Sequence, residues 1–527
     1  MVESGYNQKK KGVSKGIIAL IAGVIVLAGG SAAAFMYLNA SPKASYFLAE
    51  KNTLEYMTDQ FENRYQPELD WYEKTQQEKT ASTIELSGSY NDPAAVTGYG
   101  MDPAMFINNS SITIDAQSDM QNRQLYTGLS ANIGGMEVSD IEFFLDEEKV
   151  MLGLPFIEEV LQFNDEDLGP LLQDIDPNLF TGEETLNLES LFDSAQGVLP
   201  EEDLEYLEEE YMKLIYDELP EEAFTSSDET IDVNEQSISA EKIALDLSEQ
   251  ELKDIMKTVL DKMENDDRLK EIIKEQAAAQ QFGNTMYMQN DLDTLISDFD
   301  TAIADMKTGL EDFRIPDGLK STLWIHDDKI VQRDFSIEMG PTAEELGLFT
   351  IKGSQLLTET NQFFNYDFSF SDAYSDGTVN LAGDLNWEDD QAKDSIKIAM
   401  EDLELSYEGS ETLEDGSREF DRTFTLQEPT SGGGSLLWSG NASYENDQMN
   451  SEHNFSLETP DISQDMISFN IISEGKTIDS VESLSEDNVK NIGGMSADEI
   501  QQYIENDITP SFQQWLFGIL AGGGLGF

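Results

Sequence analysis

The chain has 527 residues, of which 105 are acidic and 31 basic, so its formal net charge at pH 7 is −74. A surface this acidic lacks the phosphate-neutralising patches that nucleic-acid binding requires, which excludes nucleic acid as a partner. The chain contains no cysteine, which excludes disulfides, thiolate catalysis and cysteine-ligated zinc. Hydrophobic residues make up 39% of the chain and aromatic residues 9%, enough to build folded cores.

An uncharged apolar run from Gly16 to Leu38 follows four lysines near the N-terminus. A bilayer core about 30 Å thick needs about 20 helical residues, and flanking lysines favour the cytoplasmic side. The run exceeds the apolar core of a cleaved signal peptide, which has about 7 to 15 residues. The sequence therefore predicts a single-pass protein of the cell membrane. Residues 1–15 would form a cytoplasmic basic tail, residues 16–38 a transmembrane helix, and the main body would be extracellular.

The segment after this run alternates between helical and strand patterns. Apolar spacings of three, four and seven predict a helix from Ser45 to about Lys74, which Pro67 should kink or divide. Alternating segments between residues 83 and 154 predict an antiparallel meander, ending in a hairpin that turns at Asp146 to Glu148. Helices return after this meander, and the capping box that begins at Ser248 starts one of them.

From Lys320 to about Asp479 the chain is almost wholly composed of long strands. Aromatic residues alternate with polar ones there, so each strand has one apolar face, which needs helices or an apolar ligand to cover it. The predicted ligand-binding residues are the aromatic members of this apolar face: Phe364, Tyr366, Phe368, Phe370, Trp387, Trp438 and Phe469.

A helix followed by a meander occurs twice, which suggests two related lobes. The predicted fold class is α+β: an N-terminal transmembrane helix, then antiparallel curved sheet meanders covered by helices. The predicted domains are residues 39–225, a helix plus antiparallel sheet lobe; residues 226–490, a helical insert plus a long-stranded antiparallel lobe; and residues 491–527, an amphipathic helix with an apolar tail too short to span a bilayer.

No motif of a known catalytic site is present. The sequence lacks a glycine-rich phosphate loop, a zinc-protease helix and a nucleophile elbow, so we predict no enzyme activity, no catalytic residue and no cofactor. The two histidines, His326 and His453, are expected to be structural or solvent-facing. Weak calcium binding is possible through clustered oxygen donors, since calcium prefers oxygen ligands. The candidate donors are Asn164, Asp165, Asp167 and Asp174, or Asp389 and Asp390. Neither group follows the pattern of the twelve-residue calcium loop.

The N-terminal 80 residues carry a resemblance to a known group of proteins. The segments KKKGVSKGIIALIAGVIVLAGG and SPKASYFLAEKNTLEYMTDQFENRYQPELDWYEK resemble uncharacterised single-span extracytoplasmic proteins of Gram-positive bacilli, and this resemblance implies no known activity. In topology alone, each helix-plus-meander lobe looks like the curved half-barrel of lipoprotein carriers, in which a sheet cups an apolar ligand. Fold analogy does not establish function.

The leading hypothesis is a non-catalytic, membrane-anchored extracytoplasmic protein that binds lipid-like or peptide ligands, or an envelope partner, on a concave sheet. The membrane contact would be the run from Gly16 to Leu38. One alternative is a structural envelope scaffold or sensor without a small-molecule ligand. A second alternative is a carboxylate-based envelope hydrolase, which would need two carboxylates about 5 to 10 Å apart in a cleft.

Overall fold

The computed structural model describes residues 41–92, 103–177, 180–195, 200–279, 289–414, 416–428 and 432–522. Long strands dominate these residues. In chain order the strands are β1 (Thr80–Tyr90), β2 (Ser111–Asp119), β3 (Gln124–Ile133), β4 (Met136–Leu145), β5 (Lys149–Gly153), β6 (Val160–Asn164), β7 (Phe224–Val233), β8 (Gln236–Leu247), β9 (Leu319–His326), β10 (Lys329–Met339), β11 (Gly347–Leu357), β12 (Asn361–Asp372), β13 (Asp376–Glu388), β14 (Gln391–Met400), β15 (Leu403–Glu414), β16 (Ser417–Gln427), β17 (Gly434–Glu445), β18 (Gln448–Glu458), β19 (Ile467–Thr477) and β20 (Val489–Asn491).

The helices lie before β1, between β1 and β2, between β6 and β7, between β8 and β9, and after β20. In chain order they are α1 (Pro42–Arg64), α2 (Gln66–Gln77), α3 (Pro103–Ile107), α4 (Leu168–Ile175), α5 (Leu188–Ala195), α6 (Glu201–Leu207), α7 (Lys213–Glu218), α8 (Glu249–Glu264), α9 (Asp267–Ala279), α10 (Gln289–Asp312), α11 (Ala497–Tyr503) and α12 (Thr509–Gly522). The division of α1 from α2 next to Pro67 confirms the predicted break.

The chain forms two compact units, each assembled from separate stretches of sequence. The first unit consists of the described residues within Met1–Arg64, Val198–Glu408 and Gln427–Pro429. The second unit consists of the described residues within Tyr65–Gly197, Gly409–Leu426 and Thr430–Phe527.

In the first unit, β7 to β14 form an antiparallel sheet in which each strand pairs with the next along the chain. Helices α1, α7, α8 and α10 contribute side chains to one core with this sheet. The centre of that core is almost fully buried and includes Phe47, Ile243, Met256, Ile303 and Leu323. Helix α8 begins at the predicted capping box, in which the side chains of Ser248 and Glu251 accept each other's backbone N–H, so that prediction is confirmed.

In the second unit, strands from both ends of the sequence share one sheet. The antiparallel order is β16, β17, β18, β19, β1, β2, β3, β4, β5 and β6, and β20 pairs in parallel with β6. The predicted hairpin is present as β4 and β5, joined at Asp146 to Glu148. Two small cores pack on this sheet, one around Met151 and the other around Leu188 and Phe192.

The predicted fold class, an α+β fold anchored by a transmembrane helix, is wrong. The described residues instead form long, largely antiparallel sheets, with eight strands in the first unit and eleven in the second. The physical reason is that period-two alternation continues through hairpin after hairpin, so backbone pairing extends far beyond short meanders. The predicted domain bounds stay a prediction.

The predicted location, a single-pass protein of the cell membrane with an extracellular body, is also corrected. Within the described ranges, every helix is too short or too polar to cross a membrane. The predicted span from Gly16 to Leu38 lies outside the described residues.

Aromatic rings lie over glycines of neighbouring strands in the first unit. Gly353 on β11 pairs with Tyr366 on β12, and Gly383 on β13 pairs with Phe364. A Cβ at Gly353 would lie 2.3 Å from the carbonyl oxygen of Asn365 and 2.4 Å from the Tyr366 ring. The ring therefore occupies the space that a side chain would take, and glycine is required by close packing.

We expect Gly353→Ala to lower the free energy of unfolding by about 1–3 kcal/mol, because the new methyl group overpacks a backbone carbonyl that cannot move aside. Urea unfolding followed by circular dichroism measures this change. The control is Gly377→Ala on β13, where a Cβ meets nothing within 4 Å; its stability should be unchanged or slightly higher, because alanine restricts the unfolded chain. Equal effects of the two substitutions would contradict the packing argument.

Asp266, between α8 and α9, is a buried carboxylate surrounded by donors. The hydroxyl groups of Tyr206 and Tyr211 donate hydrogen bonds to it over 2.6 and 2.8 Å. The amide of Leu269 and the ammonium of Lys262 lie 3.0 and 3.2 Å from its oxygens. Burial by itself raises the pKa of Asp266, but these donors outweigh burial and lower the pKa to about 2. The folded state therefore favours the ionised carboxylate.

Because the pKa of Asp266 falls on folding, its ionised form stabilises the protein above about pH 4, and this contribution is lost as the pH falls toward 2. We expect Asp266→Asn to be less stable than wild type at pH 7, with a difference that narrows steadily below pH 4. Urea unfolding at several pH values measures both proteins. Asp228→Asn, which removes an exposed carboxylate from β7, is the control for the change in net charge. A difference between wild type and Asp266→Asn that stays constant down to pH 2 would refute the assignment.

Candidate functional site

The seven predicted ligand-binding residues do not form one group, because they divide between the two units. The first unit contains five of them: Phe364, Tyr366, Phe368, Phe370 and Trp387. The second unit contains Trp438 and Phe469. Each set is therefore considered within its own sheet.

The four aromatic residues of β12 share one face, as the alternation predicts. The Phe364 and Tyr366 rings cover the glycines described above, and Phe370 lies against Gly347 in the same way. Burial raises the pKa of Tyr366 to about 12, so its hydroxyl stays protonated and donates to Gln355 over 3.0 Å. These contacts pack the rings against their own sheet.

Trp387 lies beside a buried ion pair. The Arg64 guanidinium is 5.4 Å from the Trp387 ring centroid and 2.6 Å from an Asp394 oxygen. The side chains of Arg64 and Asp394 are at least nine-tenths buried. This arrangement joins the last turn of α1 to β14, and it gives Trp387 a packing partner within the first unit.

In the second unit the register brings Trp438 and Phe469 to either side of a third aromatic residue. Phe455 on β18 pairs with Trp438 on β17 and with Phe469 on β19. The Trp438 and Phe455 rings are stacked, with centroids 5.5 Å apart and planes 16° apart. The Phe455 and Phe469 centroids are 6.5 Å apart. We call Trp438, Phe455 and Phe469 the aromatic ladder; Phe455 was not among the predicted site residues, although it follows the same alternation.

A cation borders the ladder at β16. The Arg422 guanidinium lies 4.4 Å from the ring centroids of both Trp438 and Phe420. Glu411 orients this guanidinium through a contact of 2.6 Å. Cation–π contacts of this geometry are favourable when the cation is partly desolvated. The position of Arg422 thus depends on a carboxylate that is itself fully buried.

His453 packs against the same cluster and accepts a hydrogen bond from the Trp438 indole over 3.2 Å. Burial, and then the nearby charge of Arg422, lower the pKa of His453, so the ring is neutral at pH 7. A neutral ring has the lone pair that this bond requires. His453 therefore has a structural contact, while His326 is half-buried and its Nδ1 lies 3.0 Å from the carbonyl oxygen of Ser239.

The ladder belongs to a larger apolar surface, which we call the apolar face of the second unit. None of the residues that β17, β18, β19, β1, β2 and β3 place on this face is charged. Several large side chains of these six strands remain 36–43% exposed there: Leu436, Leu457, Ile467, Phe469, Ile112 and Leu129. Large exposed apolar patches are typical of binding sites.

Four of the six predicted calcium donors accept hydrogen bonds from within the protein. Asp167 accepts hydrogen bonds from the backbone and side chain of Asn164, Asp165 accepts from the Leu188 amide, and Asp174 accepts from the Ala497 amide. Asp389 and Asp390 form the tight turn between β13 and β14, both with positive φ. Within the described residues, no group of three or more histidine or acidic side chains is arranged to hold a metal. Weak calcium binding stays a prediction.

We expect Glu411→Gln to lower the free energy of unfolding by about 3–5 kcal/mol, because Arg418 and Arg422 would lose a buried counter-charge. The control is Asp447→Asn, which removes one partner of the more exposed Lys74–Asp447 pair and should cost less than about 1 kcal/mol. Urea unfolding measures both variants. If the two variants lost similar amounts of unfolding free energy, the buried Glu411 carboxylate would contribute no more to stability than an exposed one.

No family model and no curated protein matches this chain. Among solved structures, OccAB2 of Acinetobacter baumannii is 6% identical, with 76% of this chain and 97% of that chain covered and a TM-score of 0.25. OccK9 (OpdG) of Pseudomonas aeruginosa is 7% identical, with 76% and 98% covered and a TM-score of 0.25. A mutant porin of Rh. blastica is 7% identical, with 76% and 99% covered and a TM-score of 0.21. TM-scores this low indicate neither a shared fold nor a shared function.

Proposed function

We propose that this chain is a non-catalytic binding protein that takes a lipid-like ligand on the apolar face of its second unit. The observation that carries this proposal is the continuous uncharged surface around the aromatic ladder. Its side chains remain partly exposed although they lie side by side on paired strands. A ligand that covers these side chains removes apolar area from water, which contributes about 25 cal/mol of favourable free energy for each Å².

The backbone of this face favours a lipid-like ligand over a peptide. The backbone groups of β17, β18, β19 and β1 already pair with neighbouring strands on both sides. A peptide lying flat on the ladder would bury its own amides without hydrogen-bond partners, which is unfavourable. An acyl chain has no such groups, and each methylene it buries contributes about 0.8 kcal/mol.

The charges around this face favour a ligand without an anionic headgroup. The chain has a net charge of −74, so an anionic lipid would be repelled. Arg422, the cation at the border of the ladder, is already paired with Glu411. A neutral glycerol ester therefore suits this surface better than a fatty acid or a phospholipid.

The test is displacement of the fluorescent probe Nile red from the purified chain by monoolein. We expect monoolein to displace the probe, and the eight-carbon ester monocaprylin to do so more weakly because it buries fewer methylenes. Phe469→Glu should reduce the affinity for monoolein at least tenfold, since it places a charge within the ladder.

Ile472→Glu is the matched control for this experiment. Ile472 lies on the same strand as Phe469, is 40% exposed against 42% for Phe469, and points to the opposite face. Its substitution should leave monoolein binding unchanged, and urea unfolding should show both variants folded. Absence of monoolein binding by wild type, or equal losses for the two variants, would overturn the proposal.

A further inference from the structure

The second unit has a polar groove on the face opposite the aromatic ladder. Its volume is about 500 Å³, within the size range of small-ligand sites. We propose that this groove is a second binding site, which takes an uncharged polyhydroxyl ligand such as an oligosaccharide. The side chains that form its floor come from strand positions that alternate with those of the aromatic ladder. The ladder residues Trp438 and Phe455 also border the groove.

The floor of the groove is a row of side chains that crosses five strands. Consecutive members of this row are direct cross-strand partners: Thr423, Leu437, Ser456, Ser468 and Ser89. Neighbouring strands lie about 4.8 Å apart, so four intervals extend over roughly 19 Å. Four of these five side chains carry a hydroxyl group: Ser456, Ser468 and Ser89 lie on adjacent strands, and Leu437 separates them from Thr423. A line of hydroxyl groups suits a ligand built of hydroxylated units.

A second row lies beside the first and adds different polar groups. Asp421, Ser439 and Asn454 are consecutive cross-strand partners on β16, β17 and β18, and all three line the groove. Carboxylate and amide side chains accept and donate hydrogen bonds to hydroxyl groups. The two rows together present donors and acceptors across the floor.

The segment between β18 and β19 supplies one wall. Gln464 and Asp465 of this segment line the groove together with Asn91, which follows β1. The Asn91 amide donates to the Met466 carbonyl over 2.8 Å, and its side chain donates to the Ser89 hydroxyl over 3.0 Å. These bonds hold the wall against the end of the row, which makes the surface concave.

The charges of the groove exclude an anionic ligand. Asp421 and Asp465 contribute carboxylates, whereas the cationic residue of the lining, Arg422, directs its guanidinium to Glu411 and the rings of the apolar face. An acidic polysaccharide or a phosphate ester would meet carboxylates without a compensating cation, which disfavours its binding. The remaining polar members of the lining are uncharged hydroxyl and amide groups, which fit a neutral sugar.

The test is isothermal titration calorimetry of the full chain with three neutral tetrasaccharides, namely cellotetraose, maltotetraose and chitotetraose. We expect at least one of them to bind with a Kd below about 1 mM, and the anionic tetragalacturonate not to bind. Ser456→Phe fills the middle of the row and should weaken tetrasaccharide binding at least tenfold, while monoolein displacement of Nile red stays as in wild type.

Thr113→Phe is the matched control, because Thr113 is a half-buried residue of the same polar face on β2 and does not line the groove. It should leave tetrasaccharide binding unchanged, and urea unfolding checks that both variants are folded. The proposal is overturned if no neutral tetrasaccharide binds, if both variants lose binding equally, or if tetragalacturonate or the polyamine spermine binds in place of the neutral sugars.

Discussion

Cross-strand register separates uncharged from charged side chains in the sheet of the second unit, and both candidate surfaces depend on this separation. Successive side chains of a strand point to opposite faces, so a slip of one residue in any pairing would exchange them. The register of β17 to β19 with β1 to β3 aligns the strands so that all charges fall on one face. The other face is left with uncharged side chains, among them the aromatic ladder, whose rings contact each other.

Partly or fully buried ion pairs place helices on the sheets in both units. In the first unit, Arg64 of α1 pairs with Asp394 of β14, and Glu50 of α1 pairs with Arg333 of β10. In the second unit, Arg418 of β16 pairs with Glu68 of α2 and with Glu411 of β15. Desolvation offsets much of the attraction within such pairs, so their main effect is to select one position of each helix. In a chain with 105 acidic residues and 31 basic ones, these arginines also neutralise carboxylates that are removed from water.

The candidate site was predictable in part. Alternation along β17 and β19 correctly selected Trp438 and Phe469 as members of an apolar face, because that alternation is a local property of each strand. Phe455 lies between them only because β18 pairs with both strands. The same alternation selected Phe364 and Tyr366, yet those rings lie over glycines of adjacent strands in the other unit. Sequence spacing alone does not distinguish a ring that covers a glycine from one that faces solvent.

The sequence by itself determined the local features: which residues of a strand share a face, the break of the first helix beside Pro67, the capping box at Ser248, and the hairpin turn after β4. These depend on interactions between residues a few positions apart. Only the tertiary structure decided that β1 lies between β19 and β2, and that a polar groove crosses five strands on the reverse of the aromatic ladder. Pairing of strands distant in sequence is selected by the summed packing and hydrogen bonding of whole strands, and no single segment encodes that sum.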